Sequence, residues 1–143
     1  MGIRRDLLMH GLIAAMAGFP MLSSGDEIGQ LNGYGYHDDP FLREDSRNLH
    51  RTPFSWENAA KGGLDLPGKV EKAGEGFPAP AAHQGQQTVQ QRIWDGLGQL
   101  EELRARQPLL GPEASVSTWD THNPHVLALV RRRGRETLTC LFN

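Results

Sequence analysis

A long stretch without periodicity constrains this chain more than any other feature of its sequence. From Gly25 to about Gln87 neither helical nor strand spacing of apolar residues is sustained, and Gly62-Gly63, Pro67-Gly68, Gly74, Gly76 and Pro78-Ala79-Pro80 interrupt any regular element. Connections in compact domains have a median of ~4–6 residues, so a loop of roughly sixty is more than a connection. It reads as a functional loop carried by regular elements on either side.

Those flanks are periodic. Ile3, Leu7, Leu8, Leu12, Ala15 and Met16 recur at the spacing of a helix with one buried face over residues 3 to 17, and Gly18 and Pro20 close it. Pro20 to Ser24 reads as a short strand that delivers Gly25-Asp26-Glu27 at its C-terminal end. Past the loop, Thr88 with Gln91 resembles a capping box, and Val89, Ile93, Leu97, Leu100 and Leu103 mark a helix ending at Gln107-Pro108. Ser115 to Trp119, Val126 to Arg131 and Glu136 to Phe142 are β-like, the last two joined as a hairpin across Arg132 to Arg135.

Helix, strand, acidic loop, helix and hairpins, in that order, read as the end of an α/β barrel passing into an all-β domain. The expected division is residues 1–108 for the barrel portion, with its loop at about 25–87, and 109–143 for the start of the β domain. The apolar strand Thr137 to Phe142 would be left as an uncovered edge, so a truncated chain is expected.

Composition removes several function classes. Fifteen Lys+Arg against seventeen Asp+Glu leave a formal net charge of −2, which argues against a basic nucleic-acid module. A single cysteine, Cys140, excludes an internal disulfide framework and a Cys-based zinc site, and no cofactor or metal is expected. No segment reaches ~18 uninterrupted apolar residues, so no membrane span is expected. A cytoplasmic location fits the thiol usage. The alternative is export, with Arg4-Arg5, the apolar run and Ala15-Met16-Ala17 read as a signal over residues 1–17.

Residues 18–29, Gly-Phe-Pro-Met-Leu-Ser-Ser-Gly-Asp-Glu-Ile-Gly, resemble the eighth strand and following loop of the α-amylase family of glycoside hydrolases. The continuation through Gln30-Leu-Asn-Gly-Tyr-Gly-Tyr-His-Asp-Asp-Pro40 and Glu44-Asp-Ser-Arg-Asn-Leu-His-Arg51 is similar to the amylosucrase and sucrose hydrolase branch. Trp94-Asp-Gly-Leu, Leu103-Arg-Ala-Arg-Gln-Pro108 and Asp120-Thr-His-Asn-Pro-His-Val-Leu-Ala128 keep the family's order. The resemblance implies the last helix-strand-helix portion of a (β/α)₈ barrel followed by the first strands of a C-terminal β-sandwich domain. It implies a retaining glucosyltransferase or glycosidase acting on sucrose or α-glucan, whose active site lies in the loops at the C-terminal ends of the strands. The family's nucleophile, general acid and transition-state carboxylates precede this segment, so no catalytic residue is carried over.

By the same resemblance Arg47, in Asp45-Ser46-Arg47, is the pocket residue, its guanidinium pairing with an early-strand carboxylate; a loop ion pair with Glu44 or Asp45 is the bland alternative. Asn48 departs from the aromatic usual after this Arg. A shifted register matches Arg51-Thr52-Pro53-Phe54-Ser55-Trp56 to oligosaccharide α-glucosidases and trehalose synthases, which makes Arg51 the rival, with His50 a weaker substrate contact. The resemblance also implies that Gly25, Asp26, Glu27 and Asp45 support loop geometry; as neighbours on a strand, Asp26 and Glu27 would point to opposite faces, so both cannot face one substrate. His37-Asp38-Asp39 follows the family's His-Asp-Asp position rather than occupying it and is expected to have a structural or rim role, with Asp39-Pro40 as a turn. Trp94 is expected in the core rather than as a sugar platform, and Arg131 to Arg135 as a solvated turn. A non-catalytic carbohydrate-binding or structural remnant of the same fold is the alternative reading.

Overall fold

A computed structural model describes residues 2–64 and 87–143; the breaks at Pro67-Gly68, Gly74, Gly76 and Pro78-Ala79-Pro80 lie outside them. The chain divides into two compact units, Met1–Met21 with Trp94–Asn143, and Leu22–Ile93. The boundary expected at 108/109 falls inside the first unit, because Leu110 and the strands beyond it share a core with Ala15.

The first unit begins with helix α1, Gly2–Ala15. Gly11, which breaks the apolar run in the sequence, is a packing position: a Cβ there would meet Leu100 Cδ2 at 3.7 Å and Phe142 Cε1 at 3.8 Å. Leu7 of α1 packs against helix α3, Val89–Arg106, at Gly96, where an added Cβ would lie 2.6 Å from Leu7 Cδ1. Its inward residues include Leu97 and the half-buried Leu100 and Arg104, whereas Leu103 is 57 % exposed. The expected apolar stripe is therefore displaced by one residue at its end. Arg104 takes the inward place because it has carbonyl oxygens to bind there: its guanidinium donates to Ala14 O and Gly18 O. Trp94 corrects the expectation of a core residue, being 39 % exposed while Leu97 on the same helix is buried.

Strands β1 (Ser115–Trp119), β2 (Leu127–Arg133) and β3 (Glu136–Phe142) form an antiparallel sheet in the order β1-β2-β3. The register aligns Val116 with Arg131 with Leu138, and Thr118 with Leu129 with Cys140. Since side chains alternate between faces along a strand, these rows share one face. That face meets Ala15, Leu12 and Leu110, which makes the core of the unit. The hairpin is tighter than the sequence suggested. Arg131, Arg132, Arg133 and Glu136 all belong to strands, and the loop is Gly134-Arg135, with Gly134 at φ 61°. A positive φ at the first of two central residues is the demand of a type II′ turn, which Gly meets without strain.

Arg131 overturns the reading of residues 131–135 as a solvated turn. It is fully buried, and its guanidinium donates to Ala15 O at 2.8 Å, to Ala114 O at 3.0 Å and to Gly111 O. Helix ends leave carbonyls without intrahelical partners. Arg131 and Arg104 satisfy those at the end of α1.

The second unit is built from turns. Pro20 to Ser24, expected as a strand, forms none among the described residues; Ser23 O instead accepts Asp26 N–H at 3.0 Å as the chain folds into a 3₁₀ turn over Asp26–Ile28. Gly25 (φ 108°) and Gly29 (φ 61°) bracket that turn, and Ile28 is its buried anchor. Further 3₁₀ turns span Tyr34–Asp38 and Ser46–Leu49, and helix α2 spans Trp56–Lys61 with Ser55 as its N-cap. The aperiodic segment is thus ordered through short turns over its described part. Thr88 and Gln91 close a capping box at the start of α3, Thr88 N–H to Gln91 Oε1 at 2.9 Å and Gln91 N–H to Thr88 Oγ1 at 3.1 Å.

Candidate functional site

The sequence candidates collect in the second unit, where two segments, 23–33 and 45–55, are laced together. Gln30 is the knot. Its Nε2 donates to Thr52 Oγ1 at 2.6 Å and to Pro53 O at 2.9 Å, while its Oε1 accepts Ser55 N–H at 2.8 Å. Gly33 N–H donates to Leu49 O at 3.0 Å, and the contact there is so close that any Cβ on Gly33 would overlap the Thr52 methyl.

Between the two segments lies a cleft of about 180 Å³ lined by Ser23, Ser24, Gly25, Asp26, Gln30, Leu31, Asn32, His50 and Thr52. His50 Nδ1 is 3.0 Å from Asn32 Oδ1, a contact that holds the ring in place. Hydroxyls, two amides, an imidazole and a carboxylate therefore line one concave, polar surface. Such a set suits a polyhydroxylated ligand, which needs donors and acceptors in alternation.

Asp26 and Glu27 sit on a 3₁₀ turn rather than a strand, so the argument from opposite strand faces does not apply to them. Asp26 Oδ2 accepts Ser23 N–H at 3.1 Å, and Glu27 Oε2 accepts Gly25 N–H at 2.8 Å. Of the pair, Asp26 reaches the cleft.

Asp45 gathers the two rival arginines. Arg47 Nε lies 2.8 and 3.0 Å from its two carboxylate oxygens and Arg47 Nη2 lies 2.7 Å from Oδ2, while Arg51 Nη1 stands 3.9 Å from the same oxygen. Arg47 N–H also donates to Asp45 Oδ1 at 3.0 Å, so the carboxylate caps the 3₁₀ turn that carries the arginine. The Arg47 hydrogen bonds, side chain and then backbone, hold the Asp45 carboxyl down at about 2, against an ordinary 3.8, with a smaller contribution from Arg51. Both guanidiniums are largely exposed, 71 % for Arg47 and 58 % for Arg51. Neither lines the cleft; His50 does.

The remaining candidates lie apart from it. Tyr36 and His37 stack at 4.0 Å, and Asp39 Oδ1 accepts Phe41 N–H at 2.8 Å in a turn over Asp39-Pro40. Trp56, 58 % exposed, meets Phe54 edge-on at 4.8 Å. Sequence reasoning passed over Gln30, Asn32 and Thr52, whose only signal was that they lie within the motifs at Gln30 to Gly33 and Arg51 to Pro53. Among the described residues no group of three or more His, Cys, Asp or Glu is placed to hold a metal, and no helix is long and apolar enough to cross a membrane.

No model of a known protein family matches the chain, and no curated protein matches it.

Proposed function

We propose that this chain is the eighth-strand region and following β segment of an α-amylase-family enzyme that processes sucrose or α-glucan, similar to the amylosucrase and sucrose hydrolase branch. The observation that supports the proposal is the concave polar cleft lined by Asp26, Gln30, Asn32, His50 and Thr52, which suits a polyhydroxylated ligand, whereas the Asp45–Arg47 pair is the loop ion pair named as the alternative for Arg47. A guanidinium is planar and permanently charged, so an N–H group of Arg47 that does not face Asp45 suits a second carboxylate or sugar hydroxyls. The polar cleft at His50 and Asn32 lies on the same laced loop.

In this reading the loop binds and orients. In a retaining mechanism one carboxylate attacks the anomeric carbon and a carboxylic acid protonates the leaving oxygen; both groups come from preceding strands. Arg47 closes the glucosyl pocket by pairing with a carboxylate from an early strand. Arg51 takes that role if the register is that of the oligosaccharide α-glucosidases.

The test is sucrose turnover by the polypeptide translated from the complete reading frame that contains these residues, wild type beside Arg47→Ala and Arg51→Ala. Fructose release that falls on the order of 10²–10³-fold in Arg47→Ala supports the proposal, the loss being that of a desolvated carboxylate left unpaired. A loss confined to Arg51→Ala selects the α-glucosidase register instead. Absence of glucosyl transfer or hydrolysis from sucrose, maltose and maltooligosaccharides overturns the proposal.

A further inference from the structure

We propose that the β1–β2 turn of the first unit is a second, non-catalytic saccharide site, at which a glucosyl ring of an α-glucan stacks on Trp119. The sheet register supplies its floor. Trp119, Ala128 and Leu141 form one cross-strand row on the face opposite Arg131. Ala128 is fully covered, while Trp119 and Leu141 beside it are 63 % and 64 % exposed, so the indole stands open over a small apolar base.

A rigid polar turn borders that base. Asp120 Oδ1 accepts His122 N–H at 2.8 Å, Thr121 Oγ1 donates to Val126 O at 3.0 Å, and Asn123 Oδ1 accepts His125 N–H at 3.0 Å. His122 adopts φ 56°, a left-handed conformation uncommon for a residue with a side chain, which turns the loop back over the strand ends. The resulting cleft holds about 380 Å³, within the ~300–1,000 Å³ range of small-ligand sites, and Trp119, Asp120, Thr121, His122, Asn123 and Leu141 line it.

The chemistry selects the ligand. A pyranose has an apolar C–H face that covers an indole and a perimeter of hydroxyls that both donate and accept. Here the Asp120 carboxylate accepts, the Asn123 amide, its oxygen already occupied, donates, and the His122 imidazole does either. Asp120 and His122 stand 3.4 Å apart, so the edge favours a neutral ligand over an anion. A protein partner fits poorly. The next row on this face is Ser117, Val130 and Thr139, and the one after is Ser115, Arg132 and Thr137, so the exposed apolar area ends after one row. The choice of an α-glucan rests on the proposed function; the stacking chemistry does not.

The experiment is native gel electrophoresis of the full chain in gels containing amylose or a soluble β-glucan, with tryptophan fluorescence titrated against maltoheptaose. Amylose should retard the wild type, and Trp119→Ala should weaken binding roughly tenfold or more. Asn123→Asp keeps the acceptor for His125 N–H and removes the donor, and should weaken binding several-fold with the turn intact. Trp56→Ala, which removes a similarly exposed indole elsewhere, should bind as the wild type. Failure of both glucans to retard the chain, or retardation unchanged in Trp119→Ala, overturns the site. Retardation by the β-glucan alone overturns the assigned ligand, while sucrose turnover decides the proposed function separately. Self-association lost in Trp119→Ala without retardation marks an interface between copies and overturns it too.

Discussion

Arg131 Nη1 donates to the carbonyl oxygen of Ala15 at 2.8 Å, a buried bond between residues 116 positions apart. The same guanidinium reaches Ala114 O and Gly111 O, so one side chain ties the end of α1 to the chain entering β1. A cation is favourable at a helix C-terminus, where the unpaired carbonyls carry partial negative charge. Burial, and secondarily the nearby Arg104, pull the Arg131 pKa below its ordinary value. The group still stays charged at neutral pH.

Arg131→Ala leaves Ala15 O and Ala114 O without their donor in a buried place, each costing ~1–3 kcal/mol, and leaves Gly111 O with only the long bond from Ala114 N–H. The expected loss is about 3–5 kcal/mol, read from the urea unfolding midpoint. Arg131→Lys should recover little, because a single ammonium cannot span three acceptors set apart around a planar fork. A loss under about 1 kcal/mol for either variant would show that the carbonyls find other donors.

Gly96 and Gly98 lie two residues apart on α3 and should respond in opposite directions to alanine. At Gly96 the new methyl lands against Leu7, with Cδ1 and Cδ2 both at 2.6 Å, whereas at Gly98 nothing lies within 4 Å. Gly98→Ala should stabilise by up to about 1 kcal/mol through helix propensity. Gly96→Ala should destabilise by about 1–3 kcal/mol through overpacking between α1 and α3. Thermal midpoints of the two variants check this, and a shift of the same sign in both would refute the tight seat of Leu7 against Gly96.

The Asp45 carboxyl should titrate near 2 in a carbon-detected NMR series. Its native value lies below the ordinary 3.8, so the pairing stabilises the loop above about pH 3.8 and the stabilisation is lost as pH falls from there through about 2. Arg47→Ala should move the midpoint part of the way up toward 3.8, since the backbone N–H bond at residue 47 remains, and Arg51→Ala should move it far less, because the Arg47 side-chain bond is the largest cause. Equal shifts from the two variants would mean that long-range charge, rather than hydrogen bonding, sets the value.

Gln30→Ala should loosen the lacing of the second unit. It removes donors to Thr52 Oγ1 and Pro53 O and the acceptor for Ser55 N–H. Amide exchange at Ser55 should quicken by about tenfold or more, the equivalent of ~1.4 kcal/mol. Gln30→Glu retains the acceptor and loses the donors, so it should protect Ser55 while still freeing Thr52. Unchanged exchange in the alanine variant would place the restraint elsewhere.

Local pattern was sufficient for the elements that depend on near neighbours. The 3.6-residue spacing gave away α1 and most of α3, Thr88 and Gln91 marked a capping box, and two β-like runs flanking Gly134 marked the hairpin. At the site, Asp45, Arg47, Arg51 and His50 were legible as residues but not as an arrangement; that Asp45 holds both arginines, and that Gln30 laces Thr52 to the cleft, follows from contacts between distant segments. Pro20 to Ser24 shows the converse. Its apolar run suits a strand, but a strand exists only through pairing, and here the chain bends into the Asp26–Ile28 turn instead. Arg131 marks the limit most clearly. In sequence it is one of four arginines around a turn, indistinguishable from a solvated cluster. Only the strand register puts it on the inner face, and only the end of α1, brought there by tertiary packing, supplies the carbonyls that make burying a cation favourable.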